Sequence, residues 1–155
     1  MSVHIANQII KKEWTDYNNH MNMAYYVLVF DQAWEVVLEK FKMGGTAAKD
    51  LNRSTMVVET NTKYLNEVKE GEKVNINVTY FDHDKKRLHL KMEMISQKTN
   101  NLSASMEWIS LYIDLSKRKV TEFEEDKIKL MRDFIEENKS KFSNEGLLFT
   151  SKLKK

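Results

Sequence analysis

Asp16-Tyr17-Asn18-Asn19-His20-Met21-Asn22, running into Met23-Ala24-Tyr25-Tyr26-Val27-Leu28-Val29-Phe30, decides how this chain is read. A carboxylate, three amides and an imidazole stand directly before a long apolar stretch. Ala24, Tyr25, Val27, Leu28, Phe30, Ala33, Trp34, Val36, Val37, Leu38 and Phe41 cover more than one stripe at the helical period. The spacing predicts a helix over Met23 to Phe41, buried on most sides and ended by Met43-Gly44-Gly45. A helix start offers free backbone N–H donors and the positive end of the helix dipole. Polar side chains gathered there suit the holding and polarising of a carbonyl, and the rest of the chain has no comparable cluster.

Outward from that helix the period changes to two. Val3 to Ile10 reads as a short strand before the motif, and four β-like runs follow the helix. Thr55 to Leu65 is rich in valine and threonine, Val74-Ile76-Val78-Tyr80 and Leu88-Leu90-Met92-Met94 alternate, and Leu102 to Leu115 is the longest run. Polar turns separate them. Thr121 and Glu124 form a capping-box pattern for a peripheral helix over about 122–139, with Ile128, Met131 and Ile135 on one face. Consecutive strands joined by short turns make an antiparallel sheet, which must cover one face with something apolar, and the long helix is the candidate. The expected class is α+β, a single domain over 1–155 with its core at about 3–120, a C-terminal peripheral helix and a flexible basic tail.

At 155 residues the chain fits one domain. Lysine plus arginine number 25 against 23 acidic residues, a balance that argues against neutralising nucleic-acid phosphates as the main task. The absence of cysteine excludes disulfides, zinc–thiolate sites and a cysteine nucleophile. No signal-peptide pattern opens the sequence and no apolar run is long enough to span a membrane, so the cytoplasm is the expected location, with neither nucleic acid nor membrane as partner. His83 and His89 have no metal-ligand spacing, and no metal is expected.

The motif and the element order together resemble the hotdog-fold acyl-CoA thioesterases of the 4-hydroxybenzoyl-CoA thioesterase type, many of which read Asp-x-Asn-Gly-His-x-Asn-x-x-x-Tyr at the start of the central helix. Here Asp16, Asn18, His20 and Asn22 stand in that pattern, with Tyr26 four residues later. Trp14-Thr15-Asp16-Tyr17-Asn18 is most similar to the betainyl-CoA thioesterases of carnitine breakdown. Val58-Glu59-Thr60, Tyr64-Leu65-Asn66-Glu67-Val68, Lys86-Arg87-Leu88-His89 and Glu107 through Asp114 look like the same group. Three departures stand out. Asn19 replaces the usual glycine, and asparagine is the residue best able to keep a left-handed turn there. Asn61 and Tyr112 stand where close relatives often carry histidine.

The resemblance implies hydrolysis of a small acyl-CoA thioester, with coenzyme A as part of the substrate and no separate cofactor. Betainyl-CoA is the specific candidate; broader short- and medium-chain hydrolysis or non-catalytic acyl-CoA binding are the alternatives. Asp16 would be general base or nucleophile, against the plainer reading that it only caps a turn. N–H groups near Asn22 to Ala24 would hold the oxyanion. Asn18 and His20 would bind the thioester oxygen, orient water or brace the loop; Asn22 would cap the helix; Tyr26 would face the core with its hydroxyl reaching the loop. Glu59 is the reserve catalytic carboxylate, whereas Glu107 is expected on the solvent face. Lys85, Lys86 and Arg87 would meet the phosphates of coenzyme A, or simply form a solvated turn. Trp14, Tyr17, Trp34, Trp108 and Tyr112 would supply a cage for a trimethylammonium group, or else pack the core. The resemblance also implies a homodimer or homotetramer with sites at the subunit boundary.

Overall fold

The computed structural model describes residues 2–155. Strand β1 (Val3–Ile9) leads through a short 3-10 turn at Lys12–Trp14 into the motif and helix α1 (Met23–Lys40). A short helix α2 (Gly45–Leu51) follows, then strands β2 (Arg53–Tyr64), β3 (Lys73–His83), β4 (Arg87–Ser96), β5 (Leu102–Asp114) and the two-residue β6 (Lys119–Val120), and helix α3 (Glu125–Asn138). The sheet is antiparallel throughout, in the order β1-β3-β4-β5-β2, with β6 added to the end of β5.

Helix α1 packs on the inner face of this sheet, as the hydrophobic pattern requires. Tyr26, Val29, Phe30, Ala33, Trp34, Val37 and Leu38 form its buried stripe, and Trp34 meets Trp108 of β5 edge to face at 5.7 Å. The expectation of burial on most sides is corrected: Met23, Val27 and Val36 are exposed. The apolar residues cover more than one stripe, but the sheet covers only one face of the helix, so the outward valines and Met23 remain bare in a single protomer.

Two local expectations also change. The glycine pair does end α1, but Gly45 opens α2, which period counting missed. Glu35 and Glu39 at the end of α1 accept hydrogen bonds from Gly45 N and Thr46 N at 2.6 and 3.1 Å, capping the new helix. A Cβ on Gly44 would press on the ends of those two glutamate side chains, which would have to shift to admit it. The capping box at α3 is absent: Glu124 occupies the N-cap with no side-chain cap bond. Its carboxylate instead accepts from Tyr112 Oη at 2.6 Å and Arg53 Nε at 3.0 Å. Burial alone would raise the Glu124 pKa, but those two donors outweigh it and hold the carboxyl below its ordinary value of 4.5.

The basic tail is docked rather than free. Beyond α3, whose Phe134 packs on Phe41 and Phe81, the chain crosses to the outer face of the sheet. Ser143 N donates to Thr79 O, Leu148 N and Phe149 N donate to the Glu107 carboxylate, and Lys154 N donates to Asp84. Basic composition suggested solvation; backbone N–H groups seeking buried carboxylates decide otherwise.

Candidate functional site

The polar motif folds into a tight turn closed by the backbone. Thr15 and Met21 form an isolated antiparallel bridge, Asp16 N donates to His20 O at 3.2 Å, and Asn19 N donates to Asp16 O at 2.9 Å. Asn19 takes a φ of 64°, the left-handed conformation expected of the residue standing in place of glycine. Asn22 N donates to Trp14 O and Met21 N to Val68 O, which fastens the turn to the segment after β2.

At the start of α1 the N–H groups can be accounted for one by one. The Asn22 amide oxygen accepts from Ala24 N at 3.0 Å, so Asn22 is the N-cap expected of it. Tyr25 N donates to Asn22 O. Met23 N is left as the first-turn donor with no partner among the described residues, and Met23 lines a cleft of about 260 Å³. His20, Met21, Tyr26, Tyr64, Asn66 and Glu67 share that lining.

Asp16 stands beside this cleft, its side chain 22% exposed. One of its oxygens accepts from Asn18 N at 2.8 Å, so the turn-capping role is real. The same oxygen lies 3.9 Å from Nε2 of His20, whose Nδ1 is 3.1 Å from the Glu67 carboxylate. That bond, with the Lys69 ammonium nearby, holds the Glu67 carboxyl below its ordinary value of 4.5. Tyr26 is buried, as expected, and its hydroxyl reaches Asn66 O at 3.4 Å. Burial raises the pKa of that phenol. Tyr26 packs edge to face on Tyr64 at 5.2 Å.

The structure brings Asp16, Asn18, His20, Asn22 and Tyr26 together and leaves the other candidates apart. Glu59 projects to the outer face of β2, pairs in register with Ile109, and bonds Lys152 of the tail at 3.3 Å. A strand's alternation puts it on the face opposite the α1 side where Tyr64 meets Tyr26, so within one protomer it is no reserve for Asp16. Lys85 and Lys86 lie in the β3–β4 turn and Arg87 opens β4, the length of that strand away from the end that carries the motif. Ten residues of strand put that at ~30 Å. There Arg87 pairs with Asp84 at 3.1 Å.

The aromatic cage does not assemble. Trp34, Trp108 and Tyr112 are sealed in the core, and Trp14 is buried against Tyr25. Tyr17, 92% exposed, stands alone at the tip of the turn. Packing one helix against one sheet consumed the large rings, and Tyr26 and Tyr64 are the rings that line the cleft. Glu107 also departs from expectation. It is 2% exposed on the outer face, where it accepts from His89 Nε2 at 2.7 Å and from the tail's Leu148 and Phe149 N–H groups.

Sequence reading did not assign Glu67 or Tyr64 to the site. Tyr64 and Glu67 fall within a segment that read as strand end and turn; a glutamate following a strand that ends beside the motif is the signal that was there to use.

The model of the Thioesterase-like superfamily matches residues 10–134 of the chain. The betainyl-CoA thioesterase of Pseudomonas aeruginosa is 30% identical over 112 residues, which cover 72% of this chain and 70% of that protein. A Staphylococcus aureus protein solved in complex with CoA superposes with a TM-score of 0.82 at 20% identity, covering 100% of this chain and 96% of that one. A 1,4-dihydroxy-2-naphthoyl-CoA thioesterase from Synechocystis superposes with a TM-score of 0.73 at 14% identity, over 83% of this chain and 94% of that one.

Proposed function

This chain belongs to the thioesterase-like superfamily, and from that premise we propose that it hydrolyses small acyl-CoA thioesters in the cleft before α1, with betainyl-CoA the first substrate to test. It is an acyl-CoA thioesterase with the hotdog fold; the acyl group and the residue roles are the proposal. The observation that carries those roles is the half-buried Asp16 carboxylate 3.9 Å from His20, which lines the same cleft as Met23, whose N–H has no partner among the described residues.

Thioester hydrolysis needs a donor aimed at the developing oxyanion and a carboxylate to deliver or be the nucleophile. Met23 N–H supplies the first and adds the positive end of the α1 dipole. Asp16 supplies the second. Asn18 N–H and the turn hold the carboxylate in place, and Asn22, by capping Ala24, leaves Met23 free. The cleft has a volume of about 260 Å³. Tyr26 and Tyr64 offer aromatic surface beside it, and they replace the dispersed cage as the rings able to meet a trimethylammonium group.

We also assign self-association to the β2 edge, where Met56, Val57 and Val58 are 43%, 47% and 55% exposed on a strand with one unpaired side. A long apolar sheet edge is an association surface unless something covers it, and a second copy would cover it symmetrically.

Thiol release measured over betainyl-CoA, acetyl-CoA, butyryl-CoA and octanoyl-CoA tests the substrate. Higher kcat/KM for betainyl-CoA than for neutral acyl groups of similar size supports the cationic substrate. Equal values would leave a short-chain thioesterase of broad specificity, and turnover highest for octanoyl-CoA would contradict the small-acyl reading.

A further inference from the structure

We propose that Glu67 is a positioning residue that fixes the tautomer of His20, so that the His20 Nε2 lone pair and the Asp16 carboxylate together seat the attacking water. This rests on the thioesterase reading and supplies its water step.

Two distances define the arrangement around His20. A carboxylate can only accept a hydrogen bond, so the 3.1 Å contact between Glu67 and His20 Nδ1 requires the imidazole proton to sit on Nδ1. In the neutral ring Nε2 is then a bare acceptor, because the partner of one ring nitrogen determines the state of the other. Nε2 lies 3.9 Å from an Asp16 oxygen that is itself an acceptor. Two acceptors at that separation are too far apart, and of the wrong kind, for a direct hydrogen bond. One water donating a proton to each bridges that gap through slightly bent hydrogen bonds. A water held by both hydrogens keeps its oxygen lone pairs for attack. The opposite tautomer would place an N–H against the water and occupy one of those lone pairs.

Glu67 is well placed for this task and for little else in the site. It lines the same cleft as His20, while its second oxygen meets the Lys69 ammonium at 3.6 Å. Its carboxyl is held below the ordinary range mainly by the His20 bond, so it stays an acceptor at neutral pH. The step balances without any added reagent. The water oxygen bonds to the thioester carbon as one proton passes to Asp16, and the carbonyl electrons move to the oxygen facing Met23 N–H. The carbonyl then re-forms, the carbon–sulfur bond breaks, and the departing thiolate takes the proton from Asp16.

The test compares Glu67→Ala, Glu67→Gln, His20→Ala and the Glu67→Ala/His20→Ala double variant, with wild type and Asp16→Asn alongside. Glutamine keeps an acceptor for Nδ1–H, so Glu67→Gln should hold kcat within about 3-fold of wild type, whereas Glu67→Ala should lose about 10- to 100-fold in kcat with little change in KM, the scale of a misplaced acid–base partner. The double variant should be no slower than His20→Ala, since Glu67 acts through His20. Nitrogen-15 NMR of the neutral His20 ring should show the proton on Nδ1 in wild type and Glu67→Gln, and mainly on Nε2 in Glu67→Ala.

Wild-type kcat in Glu67→Ala, or a tautomer that does not move while kcat falls, overturns the proposal. So does a double variant much slower than His20→Ala. Full activity in Asp16→Asn overturns the underlying site reading instead, and the ring-nitrogen spectra remain readable without turnover.

Discussion

Asn19 shows how much one residue can say. The turn needs a left-handed φ of 64°, a conformation that costs most side chains about 1–2 kcal/mol and asparagine less. Its type alone was enough to foresee that backbone. Asn19→Gly should therefore leave stability within about 0.5 kcal/mol of wild type, while Asn19→Ala should cost about 1 kcal/mol, as urea unfolding would measure. Equal losses in both variants would mean that the Asn19 side chain, not its backbone, matters. Asp16, Asn22 and Tyr26 were legible in the same way, because each does locally what its residue type does well. Glu67 was not, since its partner His20 is 47 positions away and only the folded chain brings the two together. The large rings misled for a related reason: Trp34 and Trp108 pack edge to face in the core, and nothing in their spacing distinguishes that from a ligand cage.

At the scale of elements, α1 and β2 to β5 lie close to where their periods put them, because each carries an apolar pattern long enough to outweigh local noise. Helix α2 escaped because seven residues hold barely two turns, and its start is capped by Glu35 and Glu39 of the preceding helix. Glu107 escaped because alternation tells which residues share a face without saying whether that face will be covered. The cover is the tail, whose two N–H groups the Glu107 carboxylate binds beside the buried His89. Removing one partner of a buried hydrogen-bonded pair strands the other, so Glu107→Ala should destabilise the fold by about 3 kcal/mol. Truncation after Gly146 should cost a comparable amount, and the two changes together should cost clearly less than their sum, since they remove the same bonds. Additive losses in thermal or urea unfolding would show that the tail is held by something other than Glu107.

For the whole molecule, the hairpin and tail meet at Asp84, which ties the two together. Burial works against its charge, but the N–H groups of Lys154, Lys86 and Arg87 and the Arg87 guanidinium more than compensate, so its carboxyl lies below the ordinary value of 3.8. A depressed folded pKa contributes stability above the unfolded value and loses it as pH falls through the folded one. Wild type should thus exceed Asp84→Asn by about 2 kcal/mol from pH 7 down to 5, with the gap closing below pH 3.8. A gap that stays constant on acidification would refute a charge-based role. The bare β2 edge sets a second expectation at this scale: Val58→Lys should shift the protein towards monomer in sedimentation, whereas an unchanged assembly would remove β2 as the contact.

Asp16 is the carboxylate on which the proposed thioester hydrolysis depends. Its most direct test is CoA thiol release by Asp16→Asn on the best substrate of the panel, with circular dichroism and sedimentation confirming the same fold and assembly. The expected result is a loss of at least about 100-fold in kcat from a protein otherwise unchanged. Wild-type turnover by Asp16→Asn would contradict it.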